Sequence, residues 1–205
     1  MTSPKREVRT VSFSIEERAD GKLGKIVGHA AVFDQETVIA GLFREKVAKG
    51  AFNDTVKVDD IRALFNHDSN HVLGRNKAGT LTLKEDDKGL AIEVDPPDTQ
   101  FARDLMVSIK RGDVDQMSFG FSVLHDEWER GEDDEKDLRT LRKVRLFDVS
   151  PVTFPAYEGT DVAVRSHEEW RAKTEEASKK RLRAKLARRK FNYARSKHGA
   201  LIQGV

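Results

Sequence analysis

From Val8 to about Arg165 the chain runs in short stretches that alternate apolar and polar residues, interrupted every few positions by Gly, Asp or Pro. A period of two places successive side chains on opposite faces, so this texture predicts a β-rich domain. Val11, Phe13 and Ile15 alternate in the first run; Ile26–Phe33, opened by Gly24 and containing Gly28, is the second. Leu42–Val47, Ile61–His67, Gln116–Leu124 and Leu141–Val149 read as further strands. Thr80–Leu83 and Leu90–Val94 flank the turn-rich Glu85-Asp86-Asp87-Lys88-Gly89 and predict a hairpin, stopped by Pro96-Pro97. Gly50-Ala51-Phe52 opens a short helix. The clearest helix is Thr99–Arg111: Thr99 can cap it, Phe101, Leu105 and Ile109 share a face, and Gly112 stands where a C-terminal cap belongs.

Charge divides the chain. Overall 35% of residues are charged and only 38% hydrophobic, but the net charge is just +2. Residues 166–205 carry twelve Lys and Arg against four Glu. We therefore expect a domain over 1–165 and a basic, helical or flexible tail over 166–205. Trp170, Ala177, Leu182 and Leu186 give that tail a weak helical stripe, consistent with a solvated helix fraying towards its end. A docking segment for an acidic partner is the alternative, and contact with nucleic acid ranks below it because no aromatic base-reading motif accompanies the charge. Glu129–Asp137 is almost wholly charged and reads as an exposed, even disordered, loop. The absence of cysteine excludes disulfides, thiolate metal sites and a cysteine nucleophile. No apolar run approaches the roughly 20 residues that span a bilayer, and Met1–Thr10 lacks a secretory core, so an intracellular soluble protein is expected.

Three polar residues fall on otherwise apolar strands. Alternation puts His67 at the end of a row formed by Ile61, Ala63 and Phe65, where an ordinary buried histidine is one reading. In Met117–Val123, Met117, Phe119, Phe121 and Val123 make one face; Ser118, Gly120 and Ser122 make the other. That small-residue face either packs closely against a neighbour or leaves room for something to approach the backbone. Asp148 shares its predicted face with Val144 and Leu146, so its carboxylate is buried and needs a partner, unless it merely caps the turn before Ser150-Pro151. Together these residues supply a serine, a histidine and an acid. A serine hydroxyl becomes a nucleophile when a base within about 3 Å takes its proton, and an ordinary histidine is suited to that work near neutral pH. The acid fixes the ring's tautomer. Gln116 occupies the first glycine position of a G-x-S-x-G elbow, which excludes an α/β-hydrolase.

The chain resembles the prohead maturation proteases of tailed phages. The resemblance rests on Gly28-His29-Ala30-Ala31-Val32-Phe33, Gly50-Ala51-Phe52, Leu64-Phe65-Asn66-His67-Asp68, Leu73-Gly74-Arg75, Arg111-Gly112-Asp113-Val114, Met117-Ser118-Phe119-Gly120-Phe121 and Val149–Tyr157. They cover roughly residues 11–165 in the family's order. The resemblance implies an antiparallel β-barrel flanked by helices, like the herpesvirus assembly proteases, within a β-rich α+β class. It makes His67 the base and Ser118 the nucleophile. The family's third position, often glutamate, is Asp148 here; the herpesvirus enzymes use a second histidine, for which His71 is the nearest candidate, although it reads better as a surface residue. Gly74, Arg75, Phe119 and Gly120 are candidates for oxyanion or substrate contacts, Arg75 equally for a surface ion pair. The implied activity is a serine endopeptidase without cofactor, working in the host cytoplasm inside the assembling prohead. It would cut scaffold or an N-terminal extension of the major capsid protein, and also itself. A homodimer and a packaging or self-cleavage role for the tail are further expectations.

Two rivals differ in kind. A metal-dependent hydrolase could use His67, Asp68 and His71, but on a strand i and i+4 lie about 13 Å apart, so the chain would have to turn after His67. A catalytically inactive scaffolding or capsid-binding module would have no use for the His67–Ser118 pair.

Overall fold

The computed structural model describes residues 6–16, 23–132, 135–154 and 161–201. Ten strands and three helices occur among them: β1 Glu7–Glu16, β2 Lys25–Val32, β3 Thr37–Ile39, β4 Phe43–Val47, α1 Thr55–Val58, β5 Arg62–Phe65, β6 Asp68–Arg75, β7 Leu81–Glu85, β8 Gly89–Val94, α2 Gln100–Arg111, β9 Gln116–Glu129, β10 Leu138–Val152 and α3 Asp161–Leu201. The class is mixed α+β and strand-rich. The chain divides into two compact units, Met1–Val164 and Arg165–Val205.

In the first unit the strands follow the order β3-β4-β10-β9-β1-β2-β8-β7, with β5 on β10 and β6 on β5. Most pairs are antiparallel, but β4 and β5 both run parallel to β10. The closed antiparallel barrel implied by the resemblance is not seen among the described residues. Among the described residues the sheet is an open path ending at β3 and β7, with an isolated bridge from Phe33 to Val47 as a further link. A single bridge is not a ladder. β9 and β10 carry the frame: they pair from Gln116↔Val152 to Glu129↔Leu138, well past the predicted ends at Leu124 and Leu141. Of the charged stretch Glu129–Asp137 only Glu129 joins a strand; residues 130–137 connect β9 to β10 as expected of a loop, with 133 and 134 outside the described residues.

The core lies between this sheet and α2. Met117, Phe119 and Phe121 of β9, Leu141, Val144, Leu146 and Val149 of β10, and Leu105, Met106 and Ile109 of α2 belong to one buried cluster. α2 forms as its ends dictate: Thr99 Oγ1 accepts from the Ala102 N–H at 3.2 Å. At the far end Gly112 is left-handed (φ 83°), with Gly112 N–H bonded to Ile109 O and Asp113 N–H to Ser108 O, a Schellman closure.

A second, ionic centre ties β1, β4, β9 and β10 together. The Arg139 side chain is only 2% exposed and donates to Glu7, Glu45 and Asp126. Arg9 donates to Glu45 at 2.6 Å and to Glu7 at 2.8 Å. Burial opposes the charge on Arg9, but Glu45 and then Glu7 outweigh it and raise the guanidinium above its usual range. Arg139 also lies over the Trp128 ring, 5.4 Å from its centroid.

In the second unit α3 continues as a helix to Leu201, and the described side chains of its stripe give no apolar face: Leu182 and Leu186 are exposed among Lys and Arg. Its local support is polar, with the Thr174 hydroxyl on the Trp170 carbonyl and the Ser178 hydroxyl on the Thr174 carbonyl, each at 2.9 Å. No helix among the described residues is long and apolar enough to cross a membrane.

The ionic centre makes an energetic prediction. Removing one partner of a buried pair strands the others, typically at about 3–5 kcal/mol. Arg139→Met is expected to lower the unfolding free energy from urea titration by that amount at neutral pH, as a lower midpoint with little change in slope. An unchanged midpoint would show that the pairs add nothing beyond packing.

Candidate active site

His67 is not on a strand. β5 ends at Phe65, which pairs with Asp68 of β6, leaving Asn66 and His67 as a two-residue turn. Both have positive φ, 51° and 58°, as the tight hairpin turn compatible with strand twist requires. Asn accepts that conformation readily; a histidine there carries strain on the order of 1 kcal/mol. The expectation that His67 ends the Ile61–Ala63–Phe65 row is therefore corrected: the turn breaks the alternation and redirects the ring. Asn66 anchors the turn to the end of β10. Its N–H donates to Pro151 O at 3.0 Å, its Oδ1 accepts from Thr153 N–H at 2.9 Å, and its Nδ2 donates to Thr153 Oγ1 at 3.2 Å.

Ser118 lies on β9 as its alternation predicts, opposite in face to the core residues Met117 and Phe119. Asp148 reaches the same face by an irregularity. Leu146 pairs with Phe121, whereas Asp148 pairs with Gly120, so Phe147 is an extra residue, a β-bulge. The predicted sharing of a face by Val144, Leu146 and Asp148 is overturned. The first two stay in the core and the bulge turns Asp148 towards the Ser118 side, together with Ser150, which pairs with Ser118.

The three groups are in line. His67 Nε2 lies 2.8 Å from Ser118 Oγ, and His67 Nδ1 lies 2.5 Å from Asp148 Oδ2. With the ring proton on Nδ1, that nitrogen donates to Asp148 and Nε2 accepts from the serine hydroxyl. Ser150 Oγ donates to the same Oδ2 at 2.8 Å. The Asp148 side chain is 3% exposed and His67 19%, while Ser118 is wholly buried. The second carboxylate oxygen, Oδ1, is bound by Arg6, whose Nη2 also stands 3.1 Å from His67 Nδ1. The small face makes room for this arginine: a Cβ on Gly120 would sit 2.5 Å from Arg6 Nε and 2.6 Å from Asp148 Oδ1.

A serine, a histidine and a carboxylate in this order are the groups a serine hydrolase uses, and sequence comparison bears on the class. A profile of the caudovirus prohead serine proteases matches residues 10–174. The chain belongs to that family. It is thus a serine protease of the prohead type, and it is 33% identical to the prohead protease of Enterobacteria phage HK97 over 168 residues, covering 76% of this chain and 68% of that protein. No solved structure matches it.

Within this prohead protease the other candidates are placed as follows. Phe119 points its ring into the core and Gly120 floors the site. Arg75 is on β6, its guanidinium committed to Asp60 at 2.7 Å and its N–H to Thr80 Oγ1 at 2.9 Å, so neither is available to an oxyanion. Gly74 is required by close approach, since a Cβ there would lie 2.6 Å from Thr80 O. His71 pairs with Asp68 at 3.1 Å and stacks on Phe101 at 4.4 Å, while both nitrogens of His67 are engaged elsewhere. The donors of the metal reading therefore do not converge, and no three-carboxylate-or-histidine cluster occurs among the described residues. The Val149–Tyr157 stretch, part of the resemblance, passes beyond the described residues after Phe154.

Sequence reasoning missed Ser150, Asn66 and Arg6 as members of this site. Ser150 was findable, two residues from Asp148 on one face; Arg6 carried no local signal. Asn66→Ala removes every side-chain anchor of the turn while the hairpin stays paired. Displacements near 1 Å can cost roughly 10²-fold in rate, and we expect a loss of that order in fluorophosphonate labelling of Ser118, followed by mass spectrometry. Asp148→Asn should slow the same labelling by up to roughly 10⁴-fold, the effect of a wrong tautomer in comparable triads. Rates within twofold of wild type in either variant would contradict these roles.

Proposed function

We propose that this chain is the endopeptidase of phage head maturation, with Ser118 as nucleophile, His67 as general base and Asp148 as the acid that orients it. The observation carrying the proposal is the unbroken line Ser118 Oγ, His67 Nε2, His67 Nδ1, Asp148 Oδ2, with contacts of 2.8 and 2.5 Å. As Ser118 attacks a scissile carbonyl its proton passes to Nε2. The charge that develops on the ring is met by Asp148, and the same proton is then given to the leaving amine. Water, deprotonated by the same nitrogen, hydrolyses the acyl-enzyme. The oxyanion would need backbone N–H donors beside Ser118, each typically contributing about 2.7–4 kcal/mol; Phe119 and Gly120 follow it on β9 and are flanked by β1 and β10.

The substrate follows from family membership and from the relative's description as a prohead protease. The chain digests scaffold or the N-terminal extension of the major capsid protein, and trims itself, inside the prohead within the host cytoplasm. It acts there as a homodimer. The basic α3, with exposed Lys179, Lys180, Arg181, Arg183 and Lys185, serves as the packaging or self-cleavage segment and favours an acidic protein partner over nucleic acid.

Co-expression with the neighbouring head proteins tests the assignment. Wild type should shorten both capsid protein or scaffold and itself, read by intact mass, and Ser118→Ala should leave all of them full length. Equal trimming by the two proteins would overturn it. Removal of residues 166–205 should reduce incorporation into proheads, measured per shell by quantitative mass spectrometry; unchanged incorporation and an unchanged autolysis pattern would remove the role given to the tail.

A further inference from the structure

Arg6 has no part in the mechanism above, and it occupies the site. We propose that Arg6 is a latch, holding the serine in an unreactive state until its guanidinium is withdrawn; this rests on the reading of Ser118, His67 and Asp148 as the catalytic groups.

Three observations point the same way. Arg6 binds Asp148 Oδ1, the oxygen left over once His67 and Ser150 have taken Oδ2. It fills the space over Gly120, where a Cβ would meet Arg6 Nε at 2.5 Å and Nη2 at 2.6 Å, so the small-residue face that would admit a peptide is already occupied. And its Nη2 stands 3.1 Å from His67 Nδ1, which lies 2.5 Å from Asp148.

That last contact sets up a conflict. With a proton on Nδ1, the ring donates to Asp148 but turns an N–H towards the N–H of Arg6. Without it, Nδ1 accepts from Arg6, the ring proton sits on Nε2, and Nε2 can then only donate to Ser118 Oγ. In that second arrangement the ring cannot take the serine's proton. Even in the first, the guanidinium stands beside the imidazole and pairs with the carboxylate that the ring needs as its partner.

The latch is held from its C-terminal side. Glu7, the next residue, is locked into the buried pairing with Arg139, and β1 continues along β9 in the register Val8↔Gly120, Thr10↔Ser118. The arginine is therefore delivered to one place, yet its side chain remains 42% exposed and can swing out without disturbing β1. It lies outside the family match, which begins at residue 10.

Arg6→Gln separates charge from shape, because the amide can still donate to Asp148 Oδ1. In the full chain we expect it to speed fluorophosphonate labelling of Ser118 by roughly tenfold or more, the size of one charge-assisted hydrogen bond. Raising salt should accelerate wild type towards the variant while leaving the variant unchanged, because a part-exposed ion pair is screened. Nitrogen NMR of the His67 ring should show the Nδ1-protonated form gaining population in the variant. Labelling that is equal or slower in Arg6→Gln overturns the latch and leaves the Ser118 assignment standing. Absence of labelling at Ser118 in both proteins overturns that assignment and the latch with it.

Discussion

A carboxylate removed almost entirely from water has to be met by donors, and the site depends on how Asp148 is met. The bulge at Phe147 is what makes this possible. Without it, strict alternation would send the carboxylate into the core beside Leu146, where no hydrogen-bonding group awaits it and the desolvation penalty would be large. One extra residue in β10 reverses the direction, sets Asp148 between Ser150 and the His67 ring, and leaves the apolar face of β9 and β10 intact. Bulges re-aim side chains in this way next to functional sites.

The second constraint is the turn that carries His67. The two connecting residues of this hairpin both take positive φ, and glycine would satisfy the second position without strain. A histidine there is less favourable locally, and the three bonds from Asn66 to the end of β10 oppose that strain. The imidazole is consequently held by backbone geometry rather than by a flexible loop, and its two nitrogens face partners on β9 and β10. Strain placed where the chemistry is proposed, and support placed just outside it, is the expected division of labour.

The parts legible in the sequence were those governed by local periodicity. The α2 boundaries, with Thr99 and Gly112 as caps, and the two faces of Met117–Val123 follow from spacing alone. The parts that were not legible each involve a break in periodicity or a distant partner. Alternation placed both His67 and Asp148 on apolar rows; a turn moved one and a bulge moved the other, and neither leaves a mark that counting by twos can detect. The strand ends beyond Leu124 and before Leu141 were not legible because the partners of their charged residues are remote: Arg139 is surrounded by Glu7, Glu45 and Asp126. The barrel came from resemblance, and the described strands form an open path instead.

Burial of Ser118 beside an already aligned histidine implies a particular kind of activation. If the reactive groups had to be assembled, opening the site would require moving β5, β9 or β10, each fixed by ladders and by a shared core. Here the proposed nucleophile and acid, on β9 and β10, and the base, on the turn between β5 and β6, are already within hydrogen-bond reach. What stands over them is a side chain from the end of β1. Access then needs a displacement at the surface rather than a rearrangement inside, and the free energy separating the covered and uncovered states is set by one ion pair rather than by the stability of the fold. A protease confined with its substrates would gain from such an arrangement, since a small change in its surroundings can tip a balance of that size.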